Sequence, residues 1–143
     1  MFNNYSSFED FYSKNKDNFD LVQNARSKLK SYQELAVGGF ALSEAEKLTF
    51  EYLNLSALVS DLMFGLSSSV LGAKGDLKRV EGMYFRDSKG AAAEKVKTVQ
   101  ADQSFLDANK IFNDLNALQE YLQNKKRDFE AAYYHYRAIS ERK

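Results

Sequence analysis

The stretch SEAEKLTFEYLNLSALVSDLMFGL, residues 43–66, decides the fold of this chain. Its apolar side chains recur at alternating spacings of four and three, at Leu48, Tyr52, Leu55, Val59, Leu62 and Leu66. That 3.5-residue repeat is typical of a coiled-coil seam. Ser43 and Glu46 have the spacing of a capping box, in which the serine is the N-cap. The pattern predicts a helix from about residue 43 to about residue 87, packed along its length on another helix.

A second long helix is predicted after Gly90, because neither glycine nor proline occurs in the rest of the chain. Its start, AAAEKVK, is rich in strong helix formers. Apolar positions then step by three and four along one seam, at Phe105, Ala108, Phe112, Leu115, Leu122, Phe129, Tyr133 and Tyr136, and Ile111, Leu118 and Ile139 widen the stripe. Gln119 and Lys126 are polar members of the seam. We predict a helix over about 91–141, roughly 75 Å long.

The two long helices predict an all-α fold, a long antiparallel helical hairpin of coiled-coil type that turns at residues 88–90. Residue 73 is then expected near 105, and residue 55 near 123. Two short helices are expected in residues 1–40. Ser7 would cap the first over Phe8 to Ser13, and a stripe from Val22 to Ala36, ended by Gly38 and Gly39, predicts the second. We interpret residues 1–143 as a single helical domain, with the hairpin over 41–143.

Four glycines inside the first long helix need an explanation, since each costs about 1 kcal/mol relative to alanine. They step by seven, three and seven, at Gly65, Gly72, Gly75 and Gly82, and with Ser68 and Ser69 they form a narrow stripe of small residues. Such a stripe lets another backbone approach closely. The alternative is a break near residues 72–75 that separates two stacked helices.

Composition excludes several classes of function. The chain has no cysteine, so it forms no disulfide and no thiolate metal site or nucleophile. It has one histidine, which is too few for a metal site built from several imidazoles. We find no phosphate-binding glycine loop and no metal-ligand spacing, and therefore predict neither enzyme activity nor a cofactor. No apolar run approaches the roughly 20 residues that span a bilayer. We expect a cytoplasmic protein that does not enter membranes.

Charge is segregated along a chain whose net charge is zero. Residues 74–97 hold seven basic and four acidic side chains, a net charge of +3, and residues 125–143 hold six and three, also +3. Residues 41–73 and 98–124 each hold one basic and four acidic side chains, a net charge of −3. Clustered lysine and arginine attract a polyanion whatever the total charge is.

The run KGDLKRVEGMYFRDSKG, residues 74–90, mixes cations with aromatic rings. Cations follow the phosphates of a single strand while rings stack on its unpaired bases. The candidate phosphate contacts are Lys74, Lys78, Arg79, Arg86, Lys89, Lys95 and Lys97, and the candidate stacking residues are Tyr84 and Phe85. The alternative is a solvated, charged surface. In the C-terminal KKRDFEAAYYHYR, Tyr133 and Tyr136 are predicted to be core residues, whereas Tyr134 lies off the seam and either role remains open.

From about residue 77 onward the chain resembles the UvsY-type recombination mediators of tailed phages. The likeness rests on Leu77-Lys78-Arg79 followed by Tyr84-Phe85, on the segment KVKTVQAD over residues 95–102, and on basic residues around 125–127 and at Arg137. Here Lys78 and Arg79 are adjacent, where the family separates its two cations by one residue. The resemblance implies a ring-like homo-oligomer without catalysis. Its implied partners are single-stranded DNA, a recombinase and single-strand-binding protein.

Two classes of function remain open on the sequence alone. The first is a single-stranded nucleic-acid-binding recombination accessory protein. The second is a structural coiled-coil protein of a phage particle or other assembly. In the second case the basic tip of the hairpin would dock on an acidic surface, for example that of a neighbouring copy. A small adaptor that bridges other proteins is a third possibility.

Overall fold

The computed structural model describes residues 5–25, 41–87 and 103–141, with the side chains of the long central helix described from Leu42 to Met83. It contains three α-helices in these residues: α1 over Phe8–Asn24, α2 over Ala41–Asp87 and α3 over Gln103–Ser140. The predicted all-α fold with two long helices is confirmed. The predicted turn at residues 88–90 and the predicted helical residues 91–102 lie outside the described residues.

Helix α1 begins where its capping residue predicts. The Asp10 N–H donates to Ser7 Oγ at 3.1 Å, and Asp10 Oδ2 accepts from the Ser6 N–H at 3.0 Å. The predicted end at Ser13 is wrong, because the helix continues to Asn24 through a kink at Asn15 (φ −128°, ψ 22°). Asparagine readily takes such a conformation since its side chain can hydrogen-bond locally. The predicted second N-terminal helix lies mostly outside the described residues.

Helix α2 is one unbroken helix through its glycines, so the alternative of a break near residues 72–75 is wrong. Burial of Leu66, Val70 and Ala73 on one face holds this part of the helix against its neighbours despite the low helix propensity of glycine. The helix begins at Ala41, which places Ser43 inside the first turn and corrects its assignment as the N-cap. Helix ends predicted from sequence commonly shift by one or two residues.

The chain divides into two compact units. Unit 1 consists of Met1–Lys14 and Phe64–Glu120, and unit 2 consists of Asn15–Met63 and Tyr121–Lys143. Each unit therefore takes residues from α1, α2 and α3.

The core of unit 1 joins the start of the chain to both long helices. Its buried apolar side chains include Tyr5, Phe11, Leu66, Val70, Leu115 and Leu118. Ser69 Oγ accepts the Tyr5 N–H at 2.7 Å, and Gln119 Nε2 donates to Ser67 Oγ at 2.9 Å. The second bond explains why a polar residue occupies the predicted seam of α3.

Helices α2 and α3 pack antiparallel in unit 1 but in a different register from the predicted one. Val80 and Ala108 line one groove, whereas Ser67, earlier in α2, meets Gln119, later in α3. A turn at residues 88–90 would have put Ser67 opposite residue 111, eight positions before Gln119. The predicted pairing of residue 73 with 105 therefore does not fit the contact of Ser67 with Gln119.

Aromatic rings dominate the core of unit 2. The Tyr52 ring lies 5.8 Å from that of Tyr136 and 6.0 Å from that of Phe129. Phe19 of α1 packs on Tyr121 at 6.1 Å. The predicted seam is buried at Leu48, Tyr52, Val59 and Leu62 in this unit, and at Leu122, Phe129 and Tyr136. Leu55 departs from the prediction, since it is half-buried and lines a groove with Leu21 and Leu58.

Many of the apolar side chains of α2 are not buried. Within Leu42–Met83 an 18-residue window has a mean hydropathy of 1.4, and only 33% of that window is buried. By length and composition alone this helix could span a bilayer, although no single apolar run in the sequence predicted a span. Core helices of soluble proteins reach similar hydropathy, but they are mostly buried.

Candidate nucleic-acid interface

Three candidate phosphate contacts lie on one exposed part of α2. Lys74, Lys78 and Arg79 all have exposed side chains, and all belong to unit 1. Residues four apart on a helix are neighbours on its surface, so Lys74 and Lys78 form an adjacent pair. Neither lysine makes an ion pair with any residue in the described part of the chain. Both ammonium groups are therefore available to an anion from solution.

Arg79 is only loosely engaged within the chain. Its Nη2 lies 3.7 Å from Asp76 Oδ1, and the two side chains are 66% and 70% exposed. Water and salt screen an ion pair of this length and exposure, which leaves it weak. A phosphate could replace the aspartate as the partner of the guanidinium, and it can accept two parallel hydrogen bonds from that group.

Glycines lie between the cations on the same surface of α2. At 3.6 residues per turn, Gly75 and Gly82 project between Lys78 and Arg79. An added Cβ at Gly75 or Gly82, or at Gly72 nearby, would meet no described atom within 4 Å. The backbone is thus open here, with cations on both sides, and a flexible strand can approach it closely.

A groove in unit 1 borders this surface. Its volume is about 650 Å³, and Arg79 and Asp76 stand on its rim. The remaining lining combines hydroxyl groups with apolar side chains, from Tyr5, Ser6, Ser68, Ser69, Gly72, Ala73, Val80, Ala108 and Ile111. An exposed guanidinium beside such a groove suits a ligand that carries both an anionic group and an apolar surface.

The structure does not describe the side chains of the other predicted contacts. Tyr84, Phe85 and Arg86 belong to the last turns of α2 by backbone position. Lys89, Lys95 and Lys97 lie outside the described residues. The geometry of the candidate interface therefore rests on Lys74, Lys78 and Arg79.

In the second basic region, on the part of α3 in unit 2, three of the four described cations contact another side chain of the chain. Lys125 Nζ lies 5.8 Å from the Tyr121 ring and 6.0 Å from the Phe129 ring, and Lys126 Nζ lies 3.9 Å from Glu130 Oε1. Burial raises the pKa of Tyr121. Arg127 is exposed and makes no ion pair with a described residue. Among the described residues, this region thus offers fewer cations without a contact than α2 does.

Arg137, further along the same region, is tied to its own helix. Its Nε donates to Glu141 Oε1 at 2.9 Å. That hydrogen bond is the main cause that raises the pKa of Arg137, and Tyr133 adds to it.

The prediction that Tyr136 is a core residue is confirmed, whereas Tyr133 is less buried than predicted. Tyr136 is fully buried and Tyr133 is half-buried, whereas Tyr134 is 63% exposed. The Tyr133 and Tyr134 rings are in edge contact, with their centroids 5.2 Å apart. Tyr134 thus belongs to the surface.

Sequence reasoning missed an exposed apolar face on α2. Phe64 is 66% exposed and Leu71 is 70% exposed, although both lie on the helix that supplies the core. The signal was present as a second heptad repeat, since these two residues are seven apart and fall on the face opposite Leu62 and Leu66.

No group of three His, Cys, Asp or Glu side chains in residues 5–25, 41–87 and 103–141 is placed to hold a metal ion.

A comparison of the chain with protein-family models, curated proteins and solved structures finds no match. The chemistry of the described surface is therefore what points to a function.

Proposed function

We propose that this chain is a single-stranded nucleic-acid-binding recombination accessory protein, a mediator that oligomerises and helps to load a recombinase. One observation carries the proposal: Lys74, Lys78 and Arg79 are exposed on α2, and the contact of Arg79 with Asp76 is their one ion pair with a described residue. Because electrostatic attraction to phosphates supplies most non-specific binding, these cations suit a polyanionic strand.

The binding would be independent of sequence and would favour single strands. A helix with scattered cations and open glycines contacts phosphates rather than base edges, and phosphate contacts carry no sequence information. Assembly into an oligomer would repeat the weak contacts of one copy along one strand, which raises the overall affinity without any new contact. The resemblance to phage mediators adds recombinase loading and displacement of single-strand-binding protein to the proposal.

The test is a salt titration of binding to a labelled single-stranded oligonucleotide. Log affinity should fall linearly with log salt concentration. The double variant Lys78→Ala, Arg79→Ala should reduce the slope by about 1.4, since each phosphate contact contributes roughly 0.7 for single strands. The matched control is Lys14→Ala, Arg137→Ala, whose cations lie 3.1 Å and 2.9 Å from carboxylate oxygens of Asp10 and Glu141. A flat salt response, or equal losses in the two double variants, would contradict the proposal.

A second candidate function is a structural coiled-coil protein of a phage particle or another assembly. The exposed Phe64 and Leu71 favour it, because apolar side chains on a helix face are typical of a protein-binding surface. Mixing the pure protein with single-stranded DNA at about 0.1 M salt, near physiological screening, separates the two. Assembly into large complexes with no retention of DNA would support the structural function.

A further inference from the structure

The groove of unit 1 runs along one side of α2 for about three turns. The Tyr5 N–H bonds to Ser69 at one end, and Val80 lines the other end. At 1.5 Å per residue, the distance from Ser69 to Val80 along the helix is about 16 Å. The groove volume is about 650 Å³, which lies within the range of roughly 300–1,000 Å³ that small-molecule sites have. The groove is therefore large enough for a heterocyclic ring system rather than a single ion.

Apolar side chains of both long helices line the groove. Ala73 and Val80 contribute from α2, and Ala108 and Ile111 contribute from α3. Ala73 is buried and Val80 is half-buried, whereas Ile111 is exposed to solvent. Proteins that take a base out of its stack hold it between aromatic or apolar side chains of this kind. An anion alone would not need such a lining, but the flat ring of a base does.

Two charged groups of opposite sign stand at the rim of the groove. Arg79 Nη2 lies 3.7 Å from Asp76 Oδ1, which is too long for a hydrogen bond. The carboxylate of Asp76 can therefore accept a hydrogen bond from a ligand while Arg79 contacts a phosphate. Every base carries an amino or imino N–H on its unpaired edge, so the carboxylate can accept from any of the four. A cation beside an acceptor complements the phosphate and the base of one nucleotide.

We propose that this groove receives an unpaired base of the bound strand while Arg79 contacts the phosphate of the same nucleotide. The inference rests on the proposed function and adds a base-binding subsite to its phosphate contacts. Phosphates do not distinguish a single strand from a duplex, because both carry them. A base in a duplex is held by pairing and stacking, whereas a single strand offers its bases at little cost. The subsite thus gives the protein its preference for single strands.

The subsite is continuous with the cationic surface of α2. At 3.6 residues per turn, Asp76 and Lys78 project to opposite sides of Arg79. A strand that passes from Lys78 to Arg79 crosses the open backbone at Gly75 and Gly82 and reaches the rim of the groove. Its phosphates stay on the cations, and its next base can turn into the groove. Base binding therefore displaces none of the phosphate contacts.

The test compares two labelled oligonucleotides of equal length, an oligothymidylate and a strand built from abasic residues. Both strands carry the same phosphates, so only base contacts differ between them. At about 0.1 M salt, the wild type should bind the oligothymidylate about five- to tenfold more tightly than the abasic strand. This ratio is at the low end of what base stacking contributes, because the groove walls are aliphatic rather than aromatic.

The variant Gly72→Leu fills the groove. Gly72 lines it, and a Cβ there would meet no described atom within 4 Å, so the leucine extends into open volume. The helix should fold well, since leucine is a better helix former than glycine. The variant should bind both strands equally, at the wild-type affinity for the abasic strand, and keep the wild-type salt slope because the phosphate contacts remain. The matched control is Ala117→Leu, at an exposed position of α3 in unit 1, which should keep the difference between the strands.

Several outcomes would overturn the base subsite, and they separate it from the proposed function. Equal binding of the two strands by the wild type, with affinity that falls as salt rises, would overturn the subsite and leave phosphate binding intact. Failure to bind either strand would overturn both. A preference for bases that persists in Gly72→Leu but is lost in the double variant Tyr84→Ala, Phe85→Ala would assign the base to those rings instead. A lower mass of Gly72→Leu by light scattering without oligonucleotide would assign the groove to a second copy of the chain.

Discussion

Tyr52 of α2 and Tyr136 of α3 form an offset stack in unit 2, with their ring centroids 5.8 Å apart and their planes 11° from parallel. Both side chains are almost fully buried. The pair fixes the two long helices against each other at one level of this unit.

The Tyr52–Tyr136 stack should be one of the most sensitive points of unit 2. We expect Tyr52→Ala to lower the free energy of unfolding by about 3–5 kcal/mol, as for other large buried aromatic residues, because it leaves a cavity in the core. A double-mutant cycle with Tyr136→Ala should give a coupling of about 0.5–1.5 kcal/mol. Urea denaturation followed by circular dichroism measures both.

Tyr134 supplies the matched control for that measurement. It is 63% exposed, and its substitution by alanine should change stability by less than about 0.5 kcal/mol. Equal losses for Tyr52→Ala and Tyr134→Ala would contradict the assignment of core and surface.

The hydrogen bond from the Tyr5 N–H to Ser69 Oγ should anchor the start of the chain in unit 1. Ser69→Ala leaves the donor without its 2.7 Å acceptor in a buried place, which should cost about 1–3 kcal/mol. We expect faster proteolysis near residue 5 and a lower free energy of unfolding. The exposed Ser68→Ala is the control, and it should have a smaller effect because water can replace a lost partner there.

Gly82→Ala should stabilise the protein. The glycine lies inside α2, and a Cβ there meets no described atom within 4 Å, so only helix propensity changes. We expect a gain of about 0.5–1 kcal/mol in the free energy of unfolding and a higher melting temperature. A loss of stability would mean that some other group needs the space at this position.

Asp10 should make the stability of α1 depend on pH. The Ser6 N–H, and then Lys14, hold the pKa of Asp10 below its ordinary value of 3.8. Because the folded state binds this proton more weakly than the unfolded state, the stabilisation is present above pH 3.8 and is lost as the pH falls through the lowered value. Asp10→Asn should therefore flatten the fall in melting temperature between pH 4 and pH 2. The exposed Asp17→Asn on the same helix serves as the control, and an unchanged acid response in Asp10→Asn would contradict the prediction.

Much of the fold could be predicted because the spacing of the apolar residues specifies which face of each helix is buried. The spacing of Leu48, Tyr52, Val59 and Leu62 requires a helix with one buried face, and the structure buries all four. The pairing register could not be predicted in the same way. A heptad seam fits its partner equally well after a shift of seven residues, so the contact of Ser67 with Gln119 depends on polar partners that periodicity does not specify.

The candidate interface was predictable in part for a similar reason. The exposure of Lys74 and Lys78 follows from their place outside the seam. The openness of Gly75 did not follow, because a small residue in a helix fits a close internal contact and an exposed surface equally well. Only the surrounding atoms distinguish the two.

The division of the chain into two units has a consequence for biosynthesis. Each unit is assembled from stretches that are distant in sequence, and unit 2 combines Asn15–Met63 with Tyr121–Lys143. Tyr52 can therefore contact Tyr136 only after the segment from Tyr121 has been translated, and unit 2 cannot form its core before then. Folding through such long-range contacts is slow, and the apolar face of the nascent α2 is open to chaperones throughout.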